Sequence, residues 1–161
     1  PPIREHSRNS RTSSPCLPST GSGRFSLAAN SRIQLLISMP IRYSIDRQKN
    51  CILETWVGRV SIADLEAYWT SYLSDPEVLA IRRTLVDLRE AKIDFKGHEL
   101  DELINRLVIP KLAGLDWKTA LIVSHPVQYG VSRQYQIFAD RYSKDSIFPD
   151  PVSAEQWLLS Q

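Results

Sequence analysis

The sequence predicts an α/β domain: a mixed, mainly parallel sheet of about five strands, opened by a β-hairpin and covered by helices on both faces. Three observations predict it. Apolar and polar residues alternate over 41–45 and again over 51–57, on either side of a five-residue polar turn. Short, β-branched apolar runs recur at 83–88 and 118–124. Helix-periodic stretches separate these later runs, at the length that a crossover between parallel strands needs. The predicted order is β-β-α-β-α-β-α-β-α.

Each element has its own signal. Ile41 to Ile45 and Cys51 to Val57 are two antiparallel strands around Asp46 to Asn50, with Cys51, Leu53, Thr55 and Val57 sharing a face and Gly58 as the end. Ser61 opens the first helix, and Asp64, three residues on, completes a capping box. Ile62, Leu65, Trp69, Tyr72 and Leu73 follow at helical spacing until Asp75-Pro76 breaks the pattern. Arg83 to Leu88 is the third strand, and Arg89 to Gly97 reads as a polar loop. Leu100, Leu103, Ile104, Leu107 and Val108 form the stripe of the second helix, which Pro110 ends or kinks. Lys118 to Ser124 is the fourth strand, and its unbroken apolar run predicts a central place, buried on both faces. Pro126 suits the first turn of a third helix, whose face is Val127, Val131, Tyr135, Phe138 and Tyr142. Ser146 to Phe148 is a short last strand. Asp150 caps a final helix with Pro151 at its first position and Ala154, Trp157 and Leu158 facing inward.

Charge divides the chain. The 161 residues carry a net +2. Residues 1–38 hold nine Ser, four Pro and five Arg against the single acid Glu5, a net of +4; the remaining 123 residues hold 15 basic and 17 acidic side chains, a net of −2. The Ser/Arg/Pro-rich stretch has too little apolar periodicity to offset its ordering entropy, which predicts a disordered tail. Three origins compete for it: an organellar transit peptide, a basic interaction arm, or upstream sequence joined to a real start. The single methionine, Met39, stands directly before the first strand and favours the third. Without the tail the domain is net acidic and offers no basic stripe for a nucleic acid. No apolar run is long enough to span a membrane. Of the two cysteines, Cys16 falls in the tail and Cys51 in a strand, so no internal disulfide is expected and a reducing cytoplasm fits. Cys51 and the four tryptophans, Trp56, Trp69, Trp117 and Trp157, read as packing residues.

Chemistry is expected beyond the carboxyl ends of the strands, where ligands of open α/β sheets sit. Those ends offer Asp87, Arg89 and Glu90 after the third strand and Ser124 and His125 after the fourth, with Arg133 further along the next helix. Asp87 and Arg89 form either a structural ion pair or a bidentate site for a carboxylate or phosphate. Ser124 and His125 read as caps of the helix that follows. A hydrolase would use Ser124 as nucleophile with His125 and Asp87. Against it, the nucleophile and base are sequence neighbours, and no G-x-S-x-G elbow is present. His98 and His125 are the only histidines of the domain and have no metal-ligand spacing, so no metal or cofactor is expected. The domain's glycines, Gly58, Gly97, Gly114 and Gly130, lie too far apart for a phosphate loop.

Several phrases, in order, carry a resemblance over about residues 39–161. They are Trp56-Val57-Gly58-Arg59-Val60-Ser61, Thr84-Leu85-Val86-Asp87-Leu88-Arg89 and Tyr129-Gly130-Val131-Ser132-Arg133. The ending Ile147-Phe148-Pro149-Asp150 with Ala154-Glu155-Gln156-Trp157-Leu158 completes the set. Together they resemble the SpoIIAA-like branch of the STAS domains, grouped with SEC14-type folds. That resemblance implies a bacterial, non-enzymatic binding or regulatory domain. STAS proteins that antagonise anti-sigma factors carry a phosphorylatable serine in a turn that corresponds to Asp94-Phe95-Lys96-Gly97. Here Phe95 and Lys96 stand at the serine positions, so the phospho-switch is expected to be absent. The SEC14 likeness implies a carrier of a small apolar or anionic ligand instead, although so short a domain has little room for a large lipid. The expected binding surface is the stretch from Arg89 to His98, including Asp94, with Asp87, Ser124, His125 and Arg133 nearby. An unidentified protein partner or a small ligand would bind there, and a free edge strand offers a homodimer interface. An interaction module predicts an exposed apolar patch and no deep pocket. A ligand carrier predicts an enclosed pocket between sheet and helices. A hydrolase predicts Asp87, Ser124 and His125 in hydrogen-bond reach of one another.

Overall fold

A computed structural model of the protein describes residues 39–160. The readings made of residues 1–38 fall outside the described residues. Five strands form one sheet in sequential order: β1 (Ile41–Asp46), β2 (Cys51–Ser61), β3 (Arg83–Asp94), β4 (Trp117–Ile122) and β5 (Ser143–Phe148). β1 and β2 pair antiparallel around the polar turn, and every later pair is parallel. The hairpin, the mixed sheet and the α/β class are as the alternation predicts. β3, not β4, is the middle strand; β4 is interior and buried on both faces.

The sequential order decides where the helices go. Right-handed crossovers between strands that advance steadily across a sheet all pass over the same face. Helices α1 (Ile62–Tyr72) and α2 (Pro76–Ile81) and α3 (Gly97–Leu103) and α5 (Pro126–Ala139) accordingly pack on one face, with the large core. Among the described residues only α6 (Pro151–Leu159), which follows the last strand, reaches the other. There Ala154 and Leu158 cover Cys51, Leu85, Ala120 and Ile122. Both faces are covered, but very unequally.

The Ser61–Asp64 capping box of α1 is present in both directions. Gly58 does not end β2, which runs on to Ser61, and further expectations need correction. Asp75-Pro76 does not simply break the first helix. Asp75 accepts from the Glu77 N–H and Pro76 takes the first turn of α2, a role for which proline needs no N–H. The loop predicted from Arg89 to Gly97 is strand as far as Asp94, because β2 also runs on to Ser61 and pairs with it. Pro110 does not end the second helix. It has no N–H for a carbonyl one turn back, and the helix widens into a π-turn (Ile104–Val108) before closing as α4 (Ile109–Leu112). The last strand starts at Ser143, three residues earlier than predicted, because its buried polar Ser143 hides the alternation.

Candidate functional site

Two regions qualify. The first lies at the carboxyl ends of β3 and β4. The β3–β4 ladder stops at Asp87 and Ile122, while β3 continues along β2. The β2–β3 register shifts between Thr55–Asp87 and Val57–Glu90, so β3 carries one extra residue, a bulge that places both Leu88 and Ala91 on the large core. Among the described residues β3 therefore has no strand on its β4 side beyond Asp87. Gln128 from the first turn of α5 occupies that place. Its Oε1 accepts from the Ser124 and His125 N–H groups at 2.9 and 3.1 Å, and its Nε2 donates to the Arg89 and Ala91 carbonyls at 3.3 and 3.0 Å. The capping of α5 thus comes from buried Gln128; Ser124 and His125 contribute backbone N–H groups rather than side-chain caps. A groove of about 640 Å³ remains, lined by Arg89, Glu90, Lys92, Ser124, His125 and Val127 among others.

The predicted surface is only partly assembled. Arg89, Ser124 and His125 meet at the groove. Asp87 is tied to it through Arg89, whose guanidinium grips both carboxylate oxygens at 2.7–3.2 Å. That grip holds the Asp87 carboxyl below its usual range and the Arg89 guanidinium above its own. A carboxylate or phosphate could take the bidentate Nε/Nη2 edge of Arg89 only by displacing Asp87. Asp94 pairs with Arg59, Arg133 bonds Gln136 on its own helix, and His98 stands exposed at the start of α3; none of the three lines the groove. Asp87, Ser124 and His125 make no hydrogen bond with one another. The Ser124 hydroxyl is directed at the Arg89 carbonyl and Gln128, each at 3.5 Å. Among the described residues no three His, Cys, Asp or Glu side chains gather as metal ligands would. Phe95, at a phosphoserine position of the resemblance, turns inward and lines the second region.

That second region is a cavity of about 70 Å³ between the sheet and the large helical layer. Its floor comes from β2, β3 and β4, and its walls from α1, the Gly97–Leu112 segment and α5. Most of the wall is aliphatic or aromatic, yet Glu54, Thr84, Thr119 and Ser132 are polar and buried. Thr84 shares a hydrogen bond with the Tyr72 hydroxyl at 2.9 Å. Ser132 is 1% exposed, and its hydroxyl has no partner. Glu54 is 5% exposed and accepts from the Trp56 indole N–H at 2.5 Å. Burial pushes the Glu54 carboxyl up to about 7, against the smaller opposing effect of the Trp56 bond. The Tyr68 hydroxyl lies near enough to influence that ionisation, but its geometry is not that of a hydrogen bond. Burial first, and the Glu54 charge second, raise the Tyr68 and Tyr72 phenols well above their ordinary value.

Sequence reasoning missed Glu54, Ser132 and Gln128. The signal for Glu54 was the alternation itself: Ile52 and Trp56 flank it at period two, on the face opposite Cys51 and Leu53. The reading of Cys51 and the tryptophans holds. Cys51 is buried and its thiol is pushed up by desolvation. Trp56, Trp69 and Trp117 are core residues, and half-buried Trp157 packs against Phe148 beneath the Lys118 ammonium.

No family model matches this chain, and no curated protein does. Among solved structures it is similar to an uncharacterised protein of the DUF3478 family from Shewanella loihica PV-4, whose crystal structure has a SpoIIAA-like fold. The two are 21% identical with a TM-score of 0.52, over 73% of this chain and 93% of the other. The fold is SpoIIAA-like. At that identity the likeness reaches the fold and stops there. Among the described residues of this SpoIIAA-like domain, no helix is long and apolar enough to cross a membrane.

Proposed function

We propose that this SpoIIAA-like domain is a non-enzymatic binding module that takes a small, mainly apolar molecule into the cavity between sheet and helices. One observation carries the reading: the cavity wall combines apolar side chains with buried polar groups that are incompletely bonded, Ser132 above all. Pockets for small molecules have this make-up, because a few polar groups set orientation while apolar area supplies affinity. An unpaired buried hydroxyl costs about 1–3 kcal/mol, a cost that a ligand hydrogen bond would offset. The size argues against a long lipid. The occupied state of Asp87, Ser124 and the α5 N-terminus argues against hydrolysis. Native mass spectrometry of the full chain purified from cells should report a small bound mass, and Val131→Phe, which fills the cavity, should remove it. Protein that carries no such mass, and that no panel of small apolar molecules stabilises against heat, would sink the reading.

A second reading keeps a protein partner at the groove. The favouring observation is the stretch of β3 beyond Asp87, where Gln128 alone stands in for a neighbouring strand. A regulatory role of STAS type would run through this surface without the phospho-switch, since Phe95 and Lys96 cannot take up phosphate. Arg89→Ala should then weaken partner binding; binding that is unchanged by it would rule the groove out.

A further inference from the structure

The cavity contains an acid with nothing to balance it. Glu54 is buried, 5% exposed, and one of its carboxyl oxygens is engaged by the Trp56 indole. Among the described residues no Lys, Arg or His lines the cavity. A buried carboxylate without a cation is costly, so it either keeps its proton or finds a cation elsewhere. The rest of the wall favours the cation. The rings of Trp56, Trp69, Tyr72, Trp117 and Tyr135 all contribute to it, with Trp69 6.4 Å from Tyr135 and Tyr72 6.4 Å from Trp117 between ring centroids. Aromatic faces attract a desolvated organic cation, and they do so more strongly away from water. Leu65, Leu88 and Leu121 offer room for alkyl groups but no charge. The unpartnered Ser132 oxygen is a further acceptor in the same wall.

Resting on the ligand-binding reading above, we infer that the cavity is a site for a compact alkylammonium ion, held by the Glu54 carboxylate and by the faces of the surrounding aromatic rings. Its N–H groups donate to Glu54, and its alkyl part meets the leucines. The volume of about 70 Å³ restricts the ligand to a few heavy atoms. A neutral isostere loses the charge pairing while keeping the shape.

The test uses isobutylamine, protonated at neutral pH, and its isostere 2-methylpropan-1-ol, each titrated into the full chain. The Trp56 indole N–H, bonded to Glu54, gives a local NMR signal, and tryptophan fluorescence gives a second readout. The amine should shift the Trp56 signal and bind about tenfold or more tightly than the alcohol. Glu54→Gln should bring amine affinity down to that of the alcohol. Alcohol binding equal to or tighter than amine binding in the wild-type protein overturns the ammonium assignment and leaves the ligand-binding reading standing. Silence of the Trp56 signal to both compounds overturns the ammonium assignment, and the bound mass in native mass spectrometry then decides the ligand-binding reading separately. The wild-type comparison decides the matter even where Glu54→Gln fails to fold.

Discussion

On one face of the sheet Cys51, Leu85, Ala120 and Ile122 meet a single helix, α6, through Ala154 and Leu158. On the other face the alternate residues of the same strands, among them Ile52, Trp56, Val86 and Leu121, meet the whole crossover layer. The small face is uniformly apolar at its centre. The large face holds the cavity, a buried acid and an orphaned hydroxyl. The difference teaches where this domain places stability and where it keeps chemistry. A small core under one helix can be filled without gaps. A layer of several helices, one of them carrying a π-turn, leaves space that polar groups can share with a ligand.

The sharpest way to break the comparison is a truncation on the small face. Leu158→Ala, at a site with 0% exposure, should cost about 2–5 kcal/mol. A urea titration that shows less than about 1 kcal/mol would mean that the small core is not closely packed. Next in size is the response to pH. The folded Glu54 holds its proton to about pH 7, whereas the unfolded one releases it near its ordinary 4.5, so folding takes up a proton between those values. This contribution is full below pH 4.5 and is lost as pH rises through 7, on the order of 3 kcal/mol in all. Asp145, pushed by burial up to about 6, acts in the same sense. Glu54→Gln should flatten most of this slope in urea midpoints measured at several pH values, leaving the part that belongs to Asp145. A slope unchanged by the substitution would remove Glu54 as its source.

Ala154→Leu tests overfilling. Ala154 is fully buried under the small face, and the extra volume should cost about 1–3 kcal/mol, read as a lowered Tm. Ser132→Ala should do the reverse on the large face and stabilise by about 1 kcal/mol, because it deletes a buried hydroxyl without a partner and suits a helix better. A loss of stability there would mean that Ser132 has a bonding role that its geometry does not reveal.

Much of the fold was legible along the chain, and the reasons are local. The hairpin follows from alternation around Asp46 to Asn50, α1 from the Ser61–Asp64 box, and α6 from Asp150 and Pro151. The candidate site was legible only in part. Bringing Arg89, Ser124 and His125 to one place needed no more than the α/β order, and they do meet at the groove, although Arg89 lies within β3 and not beyond its end. Asp94 and Arg133 looked equally available, but each has another partner, Arg59 and Gln136, that no spacing rule reveals. Glu54 was passed over because a single acid in an alternating strand reads as solvent-facing until the sheet's covered side is known.

By itself the sequence determined the alternation of strands and helices, the antiparallel opening pair and the caps, since all of these depend on residues within a few positions of one another. Tertiary structure alone decided which side of each strand became the large core. A strand's period of two offers both faces equally, and only the sequential strand order, with its right-handed crossovers, puts the crossover layer over Ile52, Glu54 and Trp56. The same decision buried Glu54 among aromatic rings, carried Gln128 into the gap beside β3, and left the cavity.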